Sequence, residues 1–191
     1  MTEKHHYFFA VKLPNEVKTF LSQWVQMHKE TYPFARWVHP EDYHITLAFL
    51  GFAKEAQLNK AIDSMGPLLS EDVSFPLTLD QIGTFGAPKS PRIFWAGVKE
   101  SDELKQIQKK VFNMCLETGF ELDKKPFKPH ITMARKWKSD QPFEKGNVTV
   151  LKTSEGDDFI FNVNEIVLYE THLDKTPKYN EFARFPIVAT N

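Results

Sequence analysis

His44-Ile45-Thr46-Leu47-Ala48-Phe49-Leu50-Gly51 and, 86 residues further on, His130-Ile131-Thr132-Met133-Ala134-Arg135 decide how this chain is read. In an extended strand, residues two apart project from one side, so His44 and Thr46 point together while Ile45 and Leu47 point the other way. His130 and Thr132 repeat the arrangement, with Ile131 and Met133 opposite. Each stretch therefore reads as a strand that presents one imidazole and one hydroxyl.

Sliding the sequence against itself by 86 positions extends the likeness. Phe8, Ala10, Val25, Phe34, Pro40, His44, Ile45, Thr46 and Ala48 fall on Phe94, Ala96, Val111, Phe120, Pro126, His130, Ile131, Thr132 and Ala134, nine identities over the aligned segments 8–48 and 94–134. Chance gives roughly two or three at ordinary residue frequencies. Two copies are too few, and the period too long, for a solenoid. The expectation is one bilobal domain over 1–191, in which two pseudo-symmetric lobes bring equivalent strands together across a cleft.

The rest of the chain fits an alternation of strands and helices. His5 to Leu13 reads as a strand that Pro14-Asn15 closes. Val17, Phe20, Leu21, Trp24, Val25 and His28 line one helical face. Leu58, Ala61, Ile62, Met65 and Leu69 predict a second helix, and Phe75 to Asp80 a strand. After Arg92 to Val98 comes a helix over Asp102 to Leu116, whose stripe of Leu104, Ile107, Val111 and Cys115 makes the cysteine a core residue. Lys136 to Glu155 is expected to be loop with one short strand, and Phe159 to Tyr169 and Glu181 to Val188 to be the last two strands.

Composition narrows the function. The chain has 191 residues, 41% of them apolar and 14% aromatic, enough for a substantial core. A single cysteine excludes a disulfide framework and a cysteine-based metal cluster. No apolar run approaches the roughly 18 residues of a membrane span, and Met1 to His6 lack a leader's apolar segment, so a cytoplasmic protein without membrane contact is expected. A net charge of -1 excludes a protein that coats nucleic acid with a basic surface. Locally, Lys124, Lys125, Lys128, Arg135, Lys136 and Lys138 surround the second motif, either a solvated face or an anion-attracting rim.

Two histidines and two threonines suit phosphoester chemistry. One neutral imidazole can take a proton from water while the other, protonated, gives one to the departing oxygen. Threonine hydroxyls can donate to phosphoryl oxygens, and a cation strengthens that effect; Arg135 is the candidate. Five residues from His130, it must reach the site from the strand end or across a bulge. Composition alone gives about 0.5 His-x-Thr by chance, so the weight lies in the matching apolar positions and the flanking repeat. The bland alternative, hydrogen-bonded histidines on duplicated strands, would require a partner for each buried polar group.

Other chemistries fit less well. A zinc site would recruit His39, His172, Glu41 or Asp42 as extra ligands, yet no His-Glu-x-x-His helix or close cysteine pair occurs. No Gly-x-Ser-x-Gly elbow is present. Gly83-Thr84-Phe85-Gly86 lacks the Gly-Lys-Ser/Thr that completes a phosphate loop. No metal and no cofactor are expected.

These residues resemble the two-histidine phosphoesterases, and within them the RNA 2′,3′-cyclic phosphodiesterases once described as 2′-5′ RNA ligases. The resemblance spans nearly the whole chain and rests on Phe8-Phe9-Ala10, Arg36-Trp37-Val38, the two His-Ile-Thr stretches with Pro129 and Arg135, and the closing Leu168-Tyr169-Glu170-Thr171 with Tyr179. It implies an α+β fold with two pseudo-symmetric lobes, antiparallel sheets facing a central groove and helices packed outside. It also implies metal-independent hydrolysis of a terminal 2′,3′-cyclic phosphate to a 2′-phosphomonoester. His130 would activate water, His44 would protonate the leaving ribose oxygen, and Thr46, Thr132 and Arg135 would bind the phosphoryl group; His39 receives no catalytic role.

The expected partner is an RNA 3′ end or small nucleotide bearing a cyclic phosphate, met by a monomer with no protein partner. Phe9, Phe49, Trp95 or Phe127 could stack on a terminal base, although core packing is the ordinary fate of such rings. The alternatives are a 2′-5′ oligonucleotide phosphodiesterase or ligase, or a module that binds RNA ends in the same groove.

Overall fold

Alternation and helical periodicity account for most of the elements in a computed structural model of the chain, which describes residues 4–146 and 150–189. β1 (His6–Lys12) leads into α1 (Asn15–His28), β2 (Phe34–Trp37), a 3-10 turn (Pro40–Asp42) and β3 (His44–Phe52). α2 (Glu55–Leu68), β4 (Phe75–Ala87) and β5 (Ser90–Val98) follow, then α3 (Asp102–Glu117), β6 (His130–Trp137), β7 (Ile160–Val163), β8 (Glu165–Thr171) and β9 (Tyr179–Pro186). Among the described residues, no helix is long and apolar enough to cross a membrane.

The strands run β7-β4-β5-β6-β3-β1-β8-β9, with β2 added alongside β6, and every pairing between them is antiparallel. One junction differs from the rest: β3 and β6 meet through the single partner pair Ile45↔Ile131. This α+β molecule is thus two half-sheets joined at a seam, and the two His-x-Thr strands form it. β1, α1 and β3 have counterparts at about the same chain offset in β5, α3 and β6.

One face of the seam is apolar. Phe9, Val11, Ile45, Leu47, Phe94, Ala96, Ile131 and Met133 pack with Val17, Leu21 and Trp24 of α1, Leu58, Ala61 and Met65 of α2, and Leu104, Ile107, Val111 and Cys115 of α3. The helical stripes thereby bury against every second strand residue. Burial pushes the Cys115 thiol up to about 12, which leaves it inert near neutral pH. The opposite face holds a smaller cluster of Phe8, Ala10, Val167 and Tyr169 with Tyr179 against it.

Several element boundaries differ from the sequence expectation. β2 is an added strand, short and bearing Arg36, which pairs with β6 over Phe34↔Trp137, Arg36↔Arg135 and Trp37↔Ala134. β4 runs to Ala87 instead of stopping at Asp80, because Gly83 gives room to the Trp95 ring: a Cβ there would lie 2.3 Å from Trp95. The expected strand over Phe159 to Tyr169 is two strands that break at Asn164, so that β7 pairs with β4 and β8 with β1. Of the expected loop, Lys136 and Trp137 still belong to β6, and the stretch beyond holds isolated bridges at Val150 and Lys152; residues 147–149 lie outside those described.

Candidate active site

β3 and β6 carry the same irregularity. Along β3, Phe9 pairs with Ala48 but Ala10 with Thr46, and along β6, Phe94 pairs with Ala134 but Trp95 with Thr132. Leu47 and Met133 are the extra residues of two β-bulges, and in each strand two consecutive residues are buried, Leu47-Ala48 and Met133-Ala134. A bulge reverses the subsequent alternation. Arg135 therefore returns to the face of His130 and Thr132, five residues along, and Phe49 likewise returns to the face of His44 and Thr46.

Both imidazoles are oriented in the same way. His44 Nδ1 donates to the Asp42 carbonyl at 2.7 Å, and His130 Nδ1 donates to the Lys128 carbonyl at 2.7 Å. Only a protonated nitrogen can donate to a carbonyl, so each neutral ring keeps its lone pair on Nε2. His44 Nε2 lies 3.0 Å from Thr46 Oγ1, which can donate to it.

Aromatic walls hold the rings. His44 packs against Phe8 at 4.7 Å, Tyr179 at 5.1 Å and Tyr169 at 5.9 Å between centroids, and His130 meets Phe85 edge-on at 4.8 Å and Trp95 at 6.3 Å. The His44 pKa is lowered to about 4, chiefly by burial and then by the charges of His130, Lys178 and Arg135, against the opposing bond to the Asp42 carbonyl. His130 is also lowered, chiefly by burial and then by Arg135, against its bond to the Lys128 carbonyl. One guanidinium thus acts on both rings. Among the described residues no carboxylate pairs with Arg135, and its cross-strand partners are another arginine, Arg36 on β2, and Ile93 on β5.

Beside the seam, over β3, β5 and the loop that follows α3, lies a groove of about 790 Å³. Thr46, Phe49, Phe85, Arg92, Lys128 and His130 line it, with Lys125 and Phe127 on the loop that follows α3. Gln108 of α3 donates to the Leu47 carbonyl at the bulge, 3.3 Å away. Of the aromatic rings singled out in the sequence, Phe49 and Phe127 face the groove, Trp95 backs His130, and Phe9 is core. Of the local basic run, Lys125 and Lys128 reach the groove, although Lys125 also pairs with Asp123 at 2.8 Å.

The histidine motifs, Thr132 and Arg135 therefore share one face at one seam. The additional zinc ligands do not join them. His39 accepts from the Glu41 amide at 3.1 Å, and Glu41 pairs with Lys18 at 3.2 Å. The buried Asp42 carboxylate accepts from the Lys178 and Tyr179 amides at 3.0 Å each, and His172 contacts Glu170 at 2.7 Å.

Asp42 and Phe85 have site functions that sequence reading missed. Asp42 holds His44 through its carbonyl and, through its carboxylate, fixes the start of β9 so that Tyr179 lies on the same ring. An acidic residue two places before the motif was a possible signal. Phe85 lies in Gly83-Thr84-Phe85-Gly86, a stretch that sequence reading weighs only as a phosphate loop.

The LigT-like phosphoesterase family model matches residues 11–95 and 97–179. A Geobacillus stearothermophilus protein named RNA 2′,3′-cyclic phosphodiesterase is 42% identical over 97% of this chain, which spans 58% of that protein's length. A Bacillus subtilis protein of the same name is 32% identical over 95% of this chain and 96% of its own. In fold, the chain is similar to Escherichia coli LigT solved with 3′-AMP, with a TM-score of 0.78 at 24% identity over 97% of this chain and 99% of that one.

Proposed function

The chain belongs to the LigT-like phosphoesterase family, and on that premise we propose that it hydrolyses the terminal 2′,3′-cyclic phosphate of RNA or of a short nucleotide. The observation that carries this reading is the pair of imidazoles with matched Nδ1 anchors, at the seam beside Thr46 and Arg135. The two relatives named for this activity support it. So does the Arg36–Arg135 juxtaposition, since like charges directly opposite across a ladder are unfavourable unless an anion lies by them.

In the reaction, His130 Nε2 takes a proton from water as its oxygen attacks phosphorus in line. The bond to the ribose 3′ oxygen breaks, and His44 Nε2 delivers a proton to that oxygen, leaving a 2′-phosphomonoester. Thr46, Thr132 and Arg135 hold the non-bridging oxygens where negative charge concentrates. One phosphate charge between the rings favours a single protonated imidazole and raises a pKa that burial has depressed.

A second assignment exchanges acid and base, and the stronger depression of His44 favours it, because His130 is then the first to be protonated. With the substrate in the same orientation, the 2′ oxygen leaves and the product is a 3′-phosphomonoester. Incubation of a cyclic-phosphate-ended oligonucleotide and identification of the product isomer tests both. A 2′-phosphate supports the first assignment, a 3′-phosphate the exchange, and an unchanged end under enzyme excess refutes hydrolysis.

In this reading the chain works as a cytoplasmic monomer and the reaction proceeds without a metal, so chelator leaves the rate unchanged; loss with EDTA and restoration by zinc would contradict it. We also infer that 1–191 is one bilobal domain with an internal repeat of about 8–48 and 94–134. In support, the two segments matched by the family model begin 86 residues apart, the same shift that aligns the two histidine motifs.

A further inference from the structure

A second group of ligand-type side chains lies on the other side of the sheet. β1 and β8 pair Phe8 with Tyr169 and Tyr7 with Glu170. Phe8 and Tyr169 face His44, so Tyr7 and Glu170, one residue away on each strand, face the opposite side, and so do His5 and His172 two residues further. Among the described residues, His5, Glu170 and His172 are the group whose ligand atoms converge, all within 4.8 Å of one another.

We propose that His5, Glu170 and His172 form a binding site for a divalent first-row transition ion, of which Zn²⁺ is the test case, on the face away from the catalytic histidines. The outer bonds that such ligands need are already made. His5 Nδ1 donates to the Thr171 carbonyl at 3.0 Å, which makes Nε2 the basic nitrogen and fixes the ring. The Tyr7 hydroxyl donates to Glu170 Oε1 at 2.7 Å, leaving Oε2 as the coordinating oxygen.

His172 Nε2 touches that same Oε2 at 2.7 Å, and the His5 and His172 rings lie 4.3 Å apart. Ligand atoms about 2.0 to 2.1 Å from a tetrahedral zinc are roughly 3.3 Å apart, so a side-chain adjustment of about 1.5 Å or less admits the ion. Two neutral imidazoles and one carboxylate are zinc-type ligands, and they leave one coordination position for water. The Glu170 and His172 side chains are only 14% and 13% exposed, which sets this group apart from solvated surface acids.

The test is titration of the metal-free protein with Zn²⁺ by calorimetry and with Co²⁺ by visible absorption. The expected result is one equivalent bound, in the intact protein and equally in the His44→Ala/His130→Ala double variant. His172→Ala is expected to lose it, and Glu170→Gln, which keeps an acceptor for Tyr7, to weaken it at least tenfold. Thermal unfolding in EDTA confirms that the variants fold, and Glu170→Gln decides if His172→Ala does not. Absence of binding in the intact protein, affinity unchanged by Glu170→Gln, or loss in the double variant would each overturn the site. The ion is separate from the proposed hydrolysis, which its removal leaves intact.

Discussion

Asp42→Asn should unfasten Tyr179 from His44 without touching either ring. The Asp42 carboxylate is buried and accepts one amide on each oxygen, from Lys178 and from Tyr179, at 3.0 Å. Asparagine keeps the shape and one acceptor oxygen but turns an NH2 toward the other amide. One charge-assisted bond becomes neutral and the other becomes a donor facing a donor. With hydrogen bonds to charged groups at about 1.5 to 3 kcal/mol and a buried unsatisfied group at about 1 to 3 kcal/mol, the combined loss is about 2 to 4 kcal/mol. For a chain of this size that lowers Tm by roughly 5 to 15 °C.

The backbone bond from His44 to the Asp42 carbonyl survives the substitution, so the imidazole keeps its tautomer. Retreat of Tyr179 exposes the ring to water, and its depressed pKa rises toward the ordinary histidine value. Thermal unfolding measures the first effect and NMR titration of the His44 ring the second, with kcat expected to fall more than KM rises. A Tm within 1 °C of the parent and an unmoved His44 titration would refute the clamp.

Arg135→Ala removes the cation whose charge lowers both histidines, so both imidazole pKa values rise and kcat/KM falls about 10- to 150-fold, the equivalent of one charge-assisted contact of about 1.5 to 3 kcal/mol. NMR titration beside kinetics checks it, and an effect on one ring only would contradict the shared role. Gly83→Ala puts a Cβ 2.3 Å from Trp95, forces that ring toward His130 and costs about 1 to 3 kcal/mol by overpacking. Urea unfolding with activity assays tests that.

Stability should fall on acidification. Both imidazoles are neutral in the fold with lowered pKa values, so below about 6.5 the unfolded chain binds protons that the folded chain excludes. The contribution of His44 is complete above that pH and is lost as pH falls toward its folded value of about 4, a difference of at most about 3 kcal/mol. Unfolding of the parent and of His44→Asn from pH 7 to 4 measures it; parallel curves would count against the buried neutral ring.

Period-2 alternation made the two strands and the shared face of His44 with Thr46, and of His130 with Thr132, legible, because apolar residues at alternate positions leave no other orientation beside a helix layer. A bulge was one of two routes open for Arg135, but where it falls was not legible. Leu47-Ala48 and Met133-Ala134 read as ordinary strand, and only the pairing with β1 and β5 shows the extra residue that brings Arg135 round. Gly83 and Gly86 carry turn chemistry locally, yet Gly83 serves a strand because a tryptophan lies across it. Phe34–Trp37 is too short to signal a strand without β6 beside it. Asp42 depends on a contact with residues 178 and 179, more than 130 positions away, which no local pattern encodes.

That His44 and His130 act as one pair is tested most directly by comparing kcat on a 2′,3′-cyclic-phosphate-ended oligonucleotide for His44→Ala, His130→Ala and the double variant. Groups that transfer protons within one reaction are strongly non-additive. Each single change is expected to remove nearly all turnover while binding of the RNA end persists, and the double variant to be no slower than the poorer single. Losses that multiply in the double variant, or turnover retained by either single, would contradict a shared site.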